Sequence, residues 1–286
     1  MIGRPPPAPR SVCVDVPDGH GVIEVIGDEG GSMLLLVGDP AVLEANDGCG
    51  SMGWLAARAG TGGPGLAEVK YLTEWLAAPG LVPDPRTGHA EPPDPECLRP
   101  LLSLLAPGRY VMTAGLAPHH LRVVHPRARQ VHGWYAEEEL ALVTTDAWPP
   151  RDHRAVRGYG ERIRAGGALP ALVALFPTAG SGVGHLLDGH HKLAAYQREG
   201  VPALVIRLAP QEPRRFRRTD LDRARAAFAG GVTRSQGDAL GRVLASLRAD
   251  AVWASGERPT GCRLGTKGQP GTRAGSKSST TIFSVR

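Results

Sequence analysis

The stretch Leu186-Leu187-Asp188-Gly189-His190-His191-Lys192-Leu193-Ala194-Ala195-Tyr196-Gln197 constrains this chain more than any other: a short apolar run meets a glycine and then takes on the pattern of a helix. His185-Leu186-Leu187 suits a strand. Gly189 permits backbone conformations that other residues resist, and Leu193, Ala194, Tyr196 and Gln197 suit a helix that stops at Gly200. A strand, a sharp turn and a helix leave unpaired backbone N–H groups at the helix start, beside His190, His191 and Lys192. Such an end favours an anion by roughly 0.3–1 kcal/mol per charge when exposed and about 2 kcal/mol when sheltered. Phosphate is the natural guest. Asp188 precedes the helix and has three open roles: capping it, holding a histidine in one tautomer, or binding a cation or a hydroxyl group.

The same residues carry a resemblance. Asp188-Gly189-His190-His191-Lys192 followed by Leu193-Ala194-Ala195-Tyr196 resembles the Asp-Gly-His-His-Arg signature of the ParB/sulfiredoxin superfamily, with lysine in place of arginine. Upstream, Tyr159 to Pro170 and the apolar run Ala171 to Phe176 resemble the family's helix, its Gly-x-Leu-Pro turn and its second strand. Downstream, Gly200 to Leu208 resembles the closing strand. The match covers about residues 140 to 210. Sulfiredoxins place a nucleophilic cysteine where this chain has His190, so sulfinic-acid reduction is not expected. The Gly-Glu-Arg-Arg box of the ParB partition proteins is also missing. The resemblance is closest to members with Asp-Gly-His-His-Arg, which include free serine kinases and ParB-like nuclease domains.

That resemblance implies binding of a nucleotide, ATP or ADP, with Mg²⁺, and transfer of a phosphate to a small hydroxyl compound. Gly189, His190, His191 and Lys192 would hold the cofactor. Asp188, His190 and His191 would take part in catalysis, and an acidic residue near the start of the domain, Asp146 or Asp152, would be the base; Asp152 is the residue assigned here. The alternative is a non-catalytic ParB-like protein that binds DNA through its basic rear half. A nuclease reading ranks last, because the sequence shows no carboxylate cluster able to hold catalytic metals.

Charge is unevenly spread along the 286 residues: 4 basic against 14 acidic in 11–100 (net −10), 21 against 13 in 101–250 (net +8), and 6 against 1 in 251–286 (net +5). An acidic front can dock on a basic rear, or the rear can attract nucleic acid or nucleotides. Cys13, Cys49, Cys97 and Cys262 are scattered and specify neither a disulfide framework nor a zinc site. The start lacks the apolar core of a signal peptide and no run approaches a membrane span, so a cytoplasmic protein with no membrane partner is expected.

The expected fold class is α+β: a ParB/sulfiredoxin-like α/β domain preceded by a small mixed β-rich domain and followed by a helical extension and a disordered tail. The boundaries are a leader at 1–10, a mixed α/β domain of unknown role at 11–125, the ParB/sulfiredoxin-like domain at 126–212, the helical extension at 213–252 and a basic tail at 253–286. Within the front part, Ser11 to Val16, Gly21 to Ile26 and Ser32 to Val37 read as a three-stranded meander. Asp39 to Glu44 reads as a helix start, Leu66 to Ala78 as a helix, and Leu81 to Pro95 as a loop. Glu137-Glu138-Glu139 reads as a charged cap before Leu140. His119, His120, His125 and His132 lack the convergence that a metal needs. Arg214-Arg215-Phe216-Arg217-Arg218 opens a basic patch before two helices, over Asp220 to Phe228 and Gln236 to Leu247, that only weakly suggest a DNA-binding pair.

Overall fold

The computed structural model describes residues 10–28, 30–46, 52–57, 80–119, 121–125, 131–135, 140–146, 148–229 and 234–247, all within the compact unit Met1–Ala251. The leader to residue 9, the helix expected over Leu66 to Ala78, the Glu137–Glu139 cap, His120 and the tail at 253–286 lie outside the described residues, as does the side chain of His132.

The front of the chain is β-rich. Its strands are β1 (Ser11–Val16), β2 (Ile23–Asp28), β3 (Gly31–Leu36), β4 (Asp39–Asn46), β5 (Met52–Ala57), β6 (Gly80–Leu81) and β7 (His89–Ala90). A short helix, α1 (Arg99–Leu102), leads into β8 (Gly108–Leu116), β9 (Arg122–Val124), β10 (Val131–Tyr135) and β11 (Ala141–Thr144). The rear alternates: α2 (Arg154–Ala165), β12 (Leu169–Pro170), β13 (Leu172–Leu175), β14 (Val183–Asp188), α3 (His190–Glu199) and β15 (Leu204–Pro210), then α4 (Arg218–Ala229) and α5 (Arg234–Ser246).

The protein is therefore mixed α/β. An eight-stranded mixed sheet runs β1-β8-β15-β13-β14-β11-β9, with β7 also paired to β8, and a five-stranded sheet runs β10-β5-β4-β3-β2. In the larger sheet β13 lies parallel to β15 and antiparallel to β14, and β11 lies parallel to both β14 and β9. The central strands β11 and β13 are buried along their whole length. That is why β13, and β11 up to Thr144, read as unbroken apolar runs rather than as alternating ones.

Two expectations are corrected. β1 does not join a meander with β2 and β3; it pairs with β8 across six residues, from Ser11 opposite Thr113 to Val16 opposite Gly108. The meander is instead β2-β3-β4-β5. Asp39 to Glu44 is not a helix start but most of β4, although Asp-Pro is a common helix opening. Burial decides: Val42 and Glu44 face one side, Leu43 and Ala45 the other, and all four are enclosed, so the segment has a core on both sides.

The five-stranded sheet is the middle of a sandwich. Val25, Leu34, Leu36, Val42 and Leu55 pack in one core with the eight-stranded sheet. Ile26, Met33, Leu35, Leu43 and Ala45 pack in a second core against Phe216, Ala224 and Phe228 near and along α4, and Leu240, Val243 and Leu244 of α5. The alternation follows from the two-residue period of a strand. The expected boundary at 125/126 falls inside the eight-stranded sheet, where β8 pairs with β15 over seven positions. Among the described residues no helix is long and apolar enough to cross a membrane.

Candidate functional site

The strand, turn and helix meet at Gly189. It has φ 107° and ψ 24°, a left-handed conformation that L side chains rarely adopt, and a Cβ placed there would lie 2.6 Å from Leu172 Cδ2. Gly189 is itself the N-cap of α3 and caps without a side chain. At the other end Gly200, also left-handed, donates its N–H to the Tyr196 carbonyl and stops the helix.

The five motif residues go to different tasks. Lys192 is only 4% exposed, and its Nζ donates to Asp188 Oδ2 at 2.5 Å and to the Ala171 carbonyl at 3.0 Å. Asp188 is therefore neither a helix cap nor a free carboxylate: it is the last residue of β14, paired four residues on along the chain. The Tyr159 ring centroid lies 6.0 Å from the same ammonium group. Burial pushes the Tyr159 hydroxyl up from its ordinary value, with the nearby Asp188 charge adding to the effect.

His190 is buried at the foot of the helix. Its Nε2 accepts from the backbone N–H of Thr145 and of Asp146, both at 3.2 Å, so in the neutral ring the proton belongs on Nδ1. The Thr145 hydroxyl in turn donates to the Leu186 carbonyl. His190 thereby fastens the segment after β11 to the start of α3.

His191 is half-buried and turns the other way. Its ring meets that of His153 at a centroid separation of 4.5 Å and an angle of 44°. His153 is exposed and caps α2, its Nδ1 accepting from Ala155 N–H at 3.3 Å. Farther along, a Cβ on Gly160 of α2 would come within 2.7 Å of Glu199 Oε1 at the end of α3. The two helices thus run side by side in the same direction, first turns together, which aligns their dipoles at one end.

Comparison with family models, curated proteins and solved structures finds no match.

Asp152 is exposed and directly precedes His153, so the His153–His191 contact brings its loop to the Gly189 turn; Asp146 is half-buried and reaches the same place through His190. Among the described residues no group of three or more His, Cys, Asp or Glu side chains could hold a metal ion. His125 sits apart, with Nδ1 3.2 Å from Thr144 Oγ1 and its ring 4.8 Å from that of Trp148. Arg214 of the basic patch is spent on Glu24 and Asp220, at 2.7 Å each. Sequence reasoning missed His153 and Thr145. Histidine is not among the residues that usually cap a helix, so Asp152-His153-Arg154 carried no clear signal of the role His153 takes at the start of α2.

Proposed function

We propose that this chain binds the phosphates of a nucleotide where the first turns of α2 and α3 adjoin, and passes one phosphate to a small hydroxyl compound. The observation that carries the reading is the His153–His191 contact at the shared start of two parallel helices. Each helix start brings about half a positive charge and a set of backbone donors, and two imidazoles there add donors that can follow a transferred proton. The order β11, α2, β12, β13, β14, α3, β15 supports reading residues from about 140 to 210 as a ParB/sulfiredoxin-like domain.

In this reading the motif divides its work. Asp188 and Lys192 shape the turn, with the ammonium group acting on phosphate only through the local field. His190 holds the segment at 145–146, and His191 with His153 reaches the ligand. Asp152 serves as the base that takes the proton of the acceptor hydroxyl. Mg²⁺ carried on the phosphates of ATP or ADP would neutralise charge as the phosphoryl group moves.

Calorimetry with ATP, ADP, CTP and GTP plus Mg²⁺ tests the proposal on the parent, His191→Ala and His153→Ala. Saturable binding by the parent, weakened about tenfold or more in each variant, is expected. Equal binding by all three, or none by the parent, would sink it. Asp152→Asn should keep nucleotide affinity and lose about 10²–10⁴ in transfer rate.

A further inference from the structure

Among the described residues, the seam between the two sheets is apolar around one buried polar cluster. Ser32 on β3 and Glu44 on β4 are directly opposite each other, and Ser32 Oγ lies 3.4 Å from Glu44 Oε2 and 3.1 Å from Nε2 of His185 on β14. Ser32 and His185 are 0% exposed and Glu44 is 3% exposed. The positions directly opposite them carry no charge: Gly27 of β2 is opposite Ser32, Leu55 of β5 opposite Glu44, and Leu175 of β13 and Val143 of β11 opposite His185; in the next strand out, His132 of β10 is opposite Leu55. On the far side of the five-stranded sheet, Arg223 of α4 is paired with Asp39, Arg225 with Asp222, and Arg242 of α5 lies over the Trp54 ring. His185 Nδ1 is buried with no hydrogen-bond partner. A line of three polar groups inside a core, open at one end, is costly unless its hydrogen bonds all point one way.

We propose that Glu44, Ser32 and His185 form a proton relay across this seam, in which ionisation of the Glu44 carboxyl appears as a change of tautomer at His185. In the protonated relay the Glu44 hydroxyl donates to Ser32 Oγ, the Ser32 hydroxyl donates to His185 Nε2, and the imidazole proton sits on Nδ1. On ionisation the Glu44 O–H bond breaks as its proton bonds to Ser32 Oγ. The proton formerly on Ser32 moves to Nε2, and the Nδ1 proton leaves for water during local opening of the seam. One proton is lost in total. Glu44 ends as a carboxylate accepting from Ser32, and His185 ends neutral with its proton on Nε2. Both ends are uncharged at neutrality, because burial pushes Glu44 up to about 8 and His185 down to about 4. Since β14 runs from His185 to Asp188 in three residues, the relay links the five-stranded sheet to the strand that carries the Gly189 turn.

The test is ¹⁵N NMR of the full chain labelled in its histidine rings, with the His185 signals assigned by their loss in His185→Gln. The parent should show a neutral ring protonated on Nδ1 at pH 6 that becomes protonated on Nε2 as the pH passes about 8. Glu44→Gln, whose amide keeps donating to Ser32, should hold the Nδ1–H form throughout. Infrared spectra of the parent should lose one protonated-carboxyl band over the same pH range, a readout that needs no variant to fold. A ring that titrates near 6.5 like a solvated imidazole overturns the relay. So does one tautomer at both pH values, or a switch that persists in Glu44→Gln.

Discussion

A single methyl group at position 189 should be among the most damaging changes in this protein. Gly189→Ala combines a left-handed φ with a 2.6 Å encounter at Leu172 Cδ2, so a loss of about 2–4 kcal/mol in unfolding free energy is expected by urea denaturation. Lys192→Ala removes the partner of a carboxylate that is only 13% exposed, and should cost about 3–5 kcal/mol because Asp188 would remain as an uncompensated charge. A Lys192 variant that fails to bind nucleotide would therefore report on folding, whereas His191→Ala leaves the Asp188–Lys192 pair intact and reports on the ligand. The turn itself was legible because its constraint is local: one glycine, flanked by a strand and a helix, has to bend the chain. The partners were not. Nothing within a few residues of Lys192 says that its ammonium group will find the Ala171 carbonyl, and His153 and His191, 38 residues apart in sequence, meet only through the packing of α2 on α3.

Strands and helices carry the next set of consequences. The seam joining β3, β4 and β14 gives stability a distinctive pH profile. The unfolded chain releases the Glu44 proton near 4.5 and the folded protein near 8, so this group favours folding fully below 4.5 and progressively less as the pH climbs to about 8. His185 acts in the opposite sense: it is neutral in the folded protein down to about 4 while the unfolded ring protonates near 6.5, so its contribution is regained as the pH rises between those values. The two effects cancel between about 4.5 and 6.5. From about 6.5 to 8 the folding equilibrium should weaken by roughly tenfold per pH unit, a decline that urea midpoints would detect and that Glu44→Gln should abolish. At the other face, Arg214→Ala should cost about 2 kcal/mol and speed hydrogen exchange in α4, since one guanidinium holds Glu24 of β2 and Asp220 of α4 together. Elements buried on both sides were the hardest to read. β13 is apolar throughout and β11 up to Thr144, and both could be recognised as strands, but β4, with Asp39-Pro40 at its start and a carboxyl group in its core, imitates the opening of a helix.

At the scale of the molecule, the C-terminal helices act as a cover. Without α4 and α5, the outer face of the five-stranded sheet, with Met33, Leu35 and Leu43, would meet water; a chain ending at residue 212 should bind a hydrophobic dye and aggregate. An acidic front and a basic rear had suggested two bodies that dock, and charge bookkeeping cannot register that strands from both halves share hydrogen bonds. β8 makes this concrete: besides the short β7, it pairs with residues 11–16 on one side and with residues 204–210 on the other. Ribosomal synthesis must accordingly have passed residue 210 before the central sheet can close. A nascent chain halted before residue 210 would still be digestible and dependent on a holding chaperone, and protease resistance should arrive abruptly once β15 has been made and released from the ribosome, rather than in two instalments.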